Sequence, residues 1–205
     1  MSRKRVVIFI SGGGSNMEAL IRAAQAPDFP AEIISVFSDK SDAGGLAKAQ
    51  AAGIETQVFT RKDYASKDAH EDAILEALAA LNPDIICLAG YMRLLTARFI
   101  APYEGRILNI HPSLLPLFAG LHTHQRALDA GMKLAGCTVH LVTEGMDEGP
   151  ILAQAAVPIV EGDTESSLAA RVLKAEHKIY ALALSKFASG DAETGLSQDA
   201  MVISA

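Results

Sequence analysis

Asn109 and His111 stand two residues apart in the stretch Ile107-Leu108-Asn109-Ile110-His111-Pro112-Ser113-Leu114-Leu115-Pro116. In an extended backbone that spacing points both side chains to one side, so a single face carries an amide and an imidazole. A carboxylate, Asp147, comes later in the acidic, glycine-bearing run Thr143-Glu144-Gly145-Met146-Asp147-Glu148-Gly149-Pro150. No Ser or Cys stands beside the pair as a nucleophile. An amide, an imidazole and a carboxylate without one suit proton transfer and stabilisation of an oxyanion, as in direct transfer of an acyl-level group. The competing reading is a core strand holding one satisfied Asn and one satisfied His.

The elements that must position these groups follow from the apolar pattern. Ile107 to Ile110 is a short β-branched run, and Pro112 and Pro116 bias the residues before them away from helical dihedrals, so the strand ends in a stiffened turn. Four earlier strands are expected, at Val6–Ile10, Ile33–Phe37, Val58–Phe59 and Ile85–Ala89. They alternate with helices near Met17–Ala24, Gly44–Ala52, Ala69–Leu81 and Thr96–Ala101. This alternation implies a mainly parallel twisted sheet with right-handed crossovers. After a helix near Gln125–Ala130, strands at Cys137–Val142 and Ile151–Val157 are joined by the acidic loop with no crossover helix, so the C-terminal part is expected to be antiparallel in places. A last helix carries the stripe Leu168, Val172, Ala175, Ile179, Leu182, with Glu176 at its border, and Asp163 or Thr164 can cap it. The expected fold class is α/β, a single Rossmann-like domain with helices on both sheet faces over residues 1–190. Residues 191–205 lack apolar periodicity and read as a tail.

Ligands of open parallel sheets bind beyond the carboxyl ends of strands. The glycine-rich loop Ser11-Gly12-Gly13-Gly14-Ser15-Asn16, running from the first strand into the first helix, suits a phosphate, because the unpaired N–H groups of a helix start face it. GxGxxG and GxxxxGK[ST] are both absent, which argues against a dinucleotide or ATP domain despite Asp39 after the second strand. The segment Met92-Arg93-Leu94-Leu95 sets large apolar groups around one cation. Alone it reads as core, and it equally suits a flat carboxylated ligand.

The chain has 205 residues, half of them hydrophobic, and a formal net charge of −6 with no long basic cluster, which speaks against a nucleic-acid footprint. The apolar run after Ser2-Arg3-Lys4-Arg5 is short for a secretory core, and nothing approaches about 18 consecutive apolar residues, so a cytoplasmic chain without membrane association is expected. Cys87 and Cys137 lie in strand-like runs without CxxC spacing and read as reduced core residues. His122, His124 and His140 raise the thought of zinc, but they lack a carboxylate or thiolate at ligand spacing, and no metal is expected.

Taken together, Ser11-Gly-Gly-Gly-Ser-Asn16, Ala89-Gly-Tyr-Met-Arg-Leu-Leu95, Leu108-Asn-Ile-His-Pro-Ser-Leu-Leu-Pro116, Gly120-Leu-His-Thr-His124 and Met146-Asp-Glu-Gly-Pro150 resemble the glycinamide ribonucleotide formyltransferases, folate-dependent enzymes of purine synthesis. The resemblance runs from Val6 to about Gly190. It implies formyl transfer from 10-formyltetrahydrofolate to the amine of glycinamide ribonucleotide. It also implies catalytic roles for Asn109, His111 and Asp147, and acceptor binding by Gly14, Ser15, Asn16, Met17, Glu18 and Glu176. Folate binding falls to Lys67, where relatives can carry Arg, to Met92, Arg93, Leu94 and Leu95, and to Asn109. Both ligands are small molecules, and a monomer or homodimer fits. Gly13 departs from the Asn of many relatives, and Leu117 and Ala119 from a common Lys and Pro. Rival readings within this resemblance are a deformylase that gives the formyl group to water and a methionyl-tRNA formyltransferase. The first usually carries an added N-terminal domain, and the second needs a longer chain with a basic RNA-binding region. An inert nucleotide-binding module is the non-enzymatic rival.

Overall fold

The structure, a computed structural model, describes residues 2–190, and the expected tail lies outside them. Its strands are β1 (Lys4–Ile10), β2 (Ala31–Ser38), β3 (Glu55–Val58), β4 (Ile85–Leu88), β5 (Ile107–His111), β6 (Leu134–Leu141) and β7 (Ile151–Pro158). The helices are α1 (Ser15–Ala24), α2 (Gly44–Ala51), α3 (Lys67–Leu81), the single turn α4 (Ala97–Ile100), α5 (Thr123–Asp129) and α6 (Glu165–Ser189). The strands form one sheet in the order β3-β2-β1-β4-β5-β6-β7. Pairing is parallel between β1 and β2, β1 and β4, and β2 and β3, and antiparallel between β6 and β7. The expected α/β class, its parallel body and its antiparallel end are thus present. The chain divides into two compact units, one ending at Leu108 and the other running from Asn109 onward.

In the first unit, Val6 to Ile10 of β1 are fully buried, as expected for a strand covered on both faces. On α1 the periodic residues Met17, Leu20, Ile21 and Ala24 are the buried ones. The third strand is Glu55–Val58, and Phe59 lies just past its end, buried, with its N–H donating to the Ser38 carbonyl. Helix α3 departs most from its apolar pattern. It buries His70 and Glu71 beside Ile74 and Leu78, while Leu75 and Leu81 are only half-buried. These polar groups enter the core with partners, since His70 Nε2 donates to the Phe59 carbonyl and Glu71 accepts from the backbone and hydroxyl of Thr96.

In the second unit, Thr164 and Ser167 form a capping box at the start of α6. Asp163 accepts from Arg171, Ser167 and the Val160 N–H, which hold its carboxyl well below the usual carboxylate range. The buried stripe of α6 runs through Leu168, Val172, Ala175, Ile179, Ala183 and Leu184, with Leu182 half-buried. Cys87 and Cys137 are both buried. Among the described residues no helix is long and apolar enough to cross a membrane.

Candidate active site

β5 is an interior strand, with Asn109 and His111 at its carboxyl end. His111 is buried, and both its ring nitrogens face oxygen. Nε2 lies 3.0 Å from the Phe118 carbonyl and Nδ1 lies 3.3 Å from Asp147 Oδ2. A carbonyl and a carboxylate only accept, so the ring satisfies both contacts when both nitrogens carry hydrogen. Asp147 Oδ2 also accepts from the Gly120 N–H at 2.9 Å, and this ties the loop after β5 to the loop between β6 and β7.

Those loops are held by local chemistry. Asp147 and Phe118 both have φ of 57°, a left-handed conformation uncommon outside glycine, which points to a functional constraint on the turns that carry them. Gly149 is dictated by space, because a Cβ there would stand 1.7 Å from the Leu141 carbonyl oxygen. Around Leu117 and Ala119, stiffness comes from hydrogen bonds. Ser113 Oγ donates to the Leu117 carbonyl, and Arg126 donates to the Ala119 carbonyl while lying over the Phe118 ring.

The amide of Asn109 has a partner that sequence reasoning missed. Its Nδ2 lies 3.1 Å from His140 Nε2, and His140 Nδ1 lies 2.9 Å from the Leu141 carbonyl. Only a protonated nitrogen can serve that carbonyl, so a neutral His140 has a bare Nε2, which must accept from Asn109. A neutral His140 therefore fixes the amide with Nδ2 toward its ring, engaging one of the two Nδ2 hydrogens and leaving the other to donate elsewhere. Its alternation with apolar neighbours showed a strand, but no local pattern could show that the strand faces Asn109.

Burial pushes the His140 imidazole below its ordinary value and nearby His111 adds to this, against the opposing effects of the Leu141 carbonyl and of Asp147, whose Oδ1 is 3.7 Å away. His140 is therefore neutral near pH 7. As pH falls through its lowered value, a proton on Nε2 would face the Asn109 amide hydrogens and turn the amide. We expect activity to fall on the acid side of neutrality, and a rate profile flat from about pH 5 to about pH 8 would contradict this coupling.

The other expected residues are placed as follows. Gly14 has φ of 70° and precedes α1, which begins with no side-chain cap; the first helical bond runs from the Glu18 N–H to the Gly14 carbonyl. The N–H groups of Ser15, Asn16 and Met17 thus stand at a helix start, where anions are favoured. Met17 is fully buried, so only its backbone can meet a ligand, and Glu18 is ion-paired with Lys48 at 2.8 Å. A Cβ at Gly13 would meet nothing within 4 Å, so packing does not require glycine there. Lys67 opens α3 with its Nζ 3.9 Å from Glu71. Met92 and Leu94 are 65% and 64% exposed, so they form apolar surface and not core. Glu176 lies within the buried stripe of α6, close enough to Cys137 for its charge to help burial push the thiol up.

The three histidines of the zinc reading have separate surroundings. His122 is exposed at the N-cap of α5, the Nδ1 of His124 is buried without a hydrogen-bond partner, and His140 is engaged with Asn109. The described residues gather no group of three or more His, Cys, Asp or Glu that could hold a metal ion.

The sheet thus gathers an amide, an imidazole and a carboxylate beyond a strand end. The family model described as Formyl transferase matches residues 4–184, and the chain belongs to that family. A crystal structure of phosphoribosylglycinamide formyltransferase from Brucella melitensis is 80% identical and covers 96% of this chain and 98% of that one, with a TM-score of 0.90. Phosphoribosylglycinamide formyltransferase of Escherichia coli is 44% identical over 185 residues, covering 90% of this chain and 87% of that protein. The human trifunctional purine biosynthetic protein adenosine-3 is 46% identical over 193 residues, or 94% of this chain; the chain spans only 19% of that protein's length.

Proposed function

We propose that the chain transfers a formyl group from 10-formyltetrahydrofolate to the amine of glycinamide ribonucleotide in purine biosynthesis, as a cytoplasmic enzyme, monomer or homodimer, whose catalytic domain is residues 1–190. The observation that carries this reading is the cluster of Asn109 hydrogen-bonded to His140, with Asp147 beside both His111 and His140, in a chain with relatives named for that activity.

In the reaction a bond forms between the amine nitrogen and the formyl carbon, and the bond from that carbon to the donor's nitrogen breaks. The amine loses a proton and the donor nitrogen gains one. Asn109 presents an N–H, oriented by His140, to the formyl oxygen as that oxygen becomes negative. The Nε2–H of His111 turns from the Phe118 carbonyl to the same oxygen. Asp147, with Oδ2 3.3 Å from His111 Nδ1, orients the imidazole and, directly or through water, helps take the proton from the amine; losing one oxyanion donor typically costs about 2.7–4 kcal/mol. These steps use no metal. The exposed Met92 and Leu94 beside Arg93 suit the flat, carboxylated donor, with Leu95 and Lys67 in the same binding role. Gly14 to Glu18 bind the acceptor, with its phosphate at the N–H groups of Ser15, Asn16 and Met17, and Glu176 meets its sugar. The test is formyl transfer to glycinamide ribonucleotide, with a control containing water as the only acceptor. Product from the acceptor is expected. Release of formate at the same rate with or without it would replace the transferase by a hydrolase.

A further inference from the structure

Asp39 follows β2, is 3% exposed, and sits in the first unit among groups from two other strand ends. Its Oδ1 accepts from Ser11 Oγ at 2.6 Å, where the glycine-rich loop begins. Its Oδ2 accepts from Arg93 Nε at 2.7 Å, within the segment assigned above to the folate. Ser11 closes the circuit, since its hydroxyl oxygen accepts the Met92 N–H at 2.9 Å and its own N–H donates to the Gly90 carbonyl. The carboxylate lies close enough to Tyr91 to add to the burial that raises that phenol. The proposed reaction uses neither Asp39 nor Ser11.

A buried carboxylate held on both oxygens is a fixed point, and here its two partners belong to two different ligand-binding segments. Pinning Arg93 through Nε leaves its outer nitrogens without a hydrogen bond to any described residue, so the fork is oriented and still available. A shift of the glycine loop on taking up a phosphate must pass through Ser11 to Asp39 and Met92, and from Asp39 to Arg93. Orientation set in this way by one ligand no longer has to be set by the other, and by linkage the effect is reciprocal.

We propose that Asp39 is a positioning residue that couples acceptor binding to donor binding, a role that rests on the formyl-transfer reading above. The test measures by calorimetry the affinity of the intact chain for a non-reactive folate analogue, with and without saturating glycinamide ribonucleotide. In wild type the acceptor should tighten the analogue by at least about 5-fold, the lower end of common coupling factors. In Asp39→Ala the factor should fall to about one, and in Asp39→Asn, which can still accept one hydrogen bond, to an intermediate value. Ser11→Ala keeps the Arg93 contact and cuts the link to the loop. It also removes the acceptor of the Met92 N–H, so the readout is the coupling factor and not the analogue's own affinity; that factor should fall to about one, which keeps the proposal testable should Asp39→Ala fold poorly. Parallel loss of both affinities with an unchanged coupling factor would reduce Asp39 to a structural acid and overturn the proposal, as would binding of both ligands by wild type without coupling. Failure of wild type to bind either ligand would overturn the formyl-transfer reading and this proposal with it.

Discussion

Replacing His111 by alanine, or Asp147 by asparagine, is expected to lower the rate of formyl transfer by at least about 10²-fold with little change in the fold, since both act on charge that develops in the transition state. The geometry gives each residue a separate reason. His111 faces the Phe118 carbonyl with Nε2 and Asp147 with Nδ1, so its Nε2–H is the donor proposed for the developing oxyanion. His111→Ala removes the donor outright. Asp147→Asn keeps the size of the side chain, and its amide oxygen can still accept from the Gly120 N–H, so the loop should hold. What it loses is the negative charge beside His111 Nδ1, the group proposed to help take the amine's proton. The measurement is kcat on glycinamide ribonucleotide, with thermal midpoints as the control for folding. Turnover within a few-fold of wild type in either variant would remove that residue from the mechanism.

An acceptor lacking its phosphate is expected to lose kcat as well as affinity, and Gly14→Ala is expected to reproduce much of that loss with the phosphorylated acceptor. The phosphate does not react, so if it only tethered the acceptor, saturation would restore the rate. Binding energy from a non-reacting group raises kcat when it aims the reacting one, and well-aimed groups gain many powers of ten in effective concentration. The proposed aiming surface is the start of α1, and Gly14 shapes it. Its φ of 70° disfavours any side chain, and an added Cβ would lie 3.0 Å from both Gly45 Cα and Met17 Cε. The Gly45 backbone cannot give way without moving the loop, because its N–H is bonded to the Gly12 carbonyl at 3.0 Å. A drop in kcat/KM of about 10²-fold toward the phosphorylated acceptor, with the affinity for a folate analogue nearly unchanged, is the expected result. Equal kcat for the two acceptors would show that the phosphate merely tethers. Wild-type kinetics in Gly14→Ala would place the phosphate elsewhere.

The residues that declare themselves locally were legible from the chain. Val6 to Ile10 is apolar without interruption and can only be a covered strand, and the prolines after His111 fix where β5 stops. Asn109 and His111 share a face because of their spacing, which needs no neighbour to be read. The remainder depends on what lies across the sheet. On α6, Leu182 fits the stripe as well as Leu184 does, and only packing decides between them; Glu176 is buried there by its neighbours, against the preference of its charge. His140 reads as a strand histidine until Asn109 is found beside it. Asp39, Ser11 and Arg93 come from the ends of three strands, and their hydrogen bonds exist only once β2, β1 and β4 are laid side by side. Helix α3 buries His70 and Glu71 because Phe59 and Thr96 supply partners, which a hydropathy pattern cannot foresee.

The two thiols turn this molecule into its own recorder of opening. Cys87 lies in β4 of the first unit and Cys137 in β6 of the second, both fully buried, and burial with the nearby Glu176 charge suppresses the thiolate of Cys137. Alkylation needs an exposed thiolate, so neither sulfur can be labelled until its own strand is uncovered. A pulse of iodoacetamide followed by mass mapping would time the uncovering of each thiol separately, with no residue engineered into the chain.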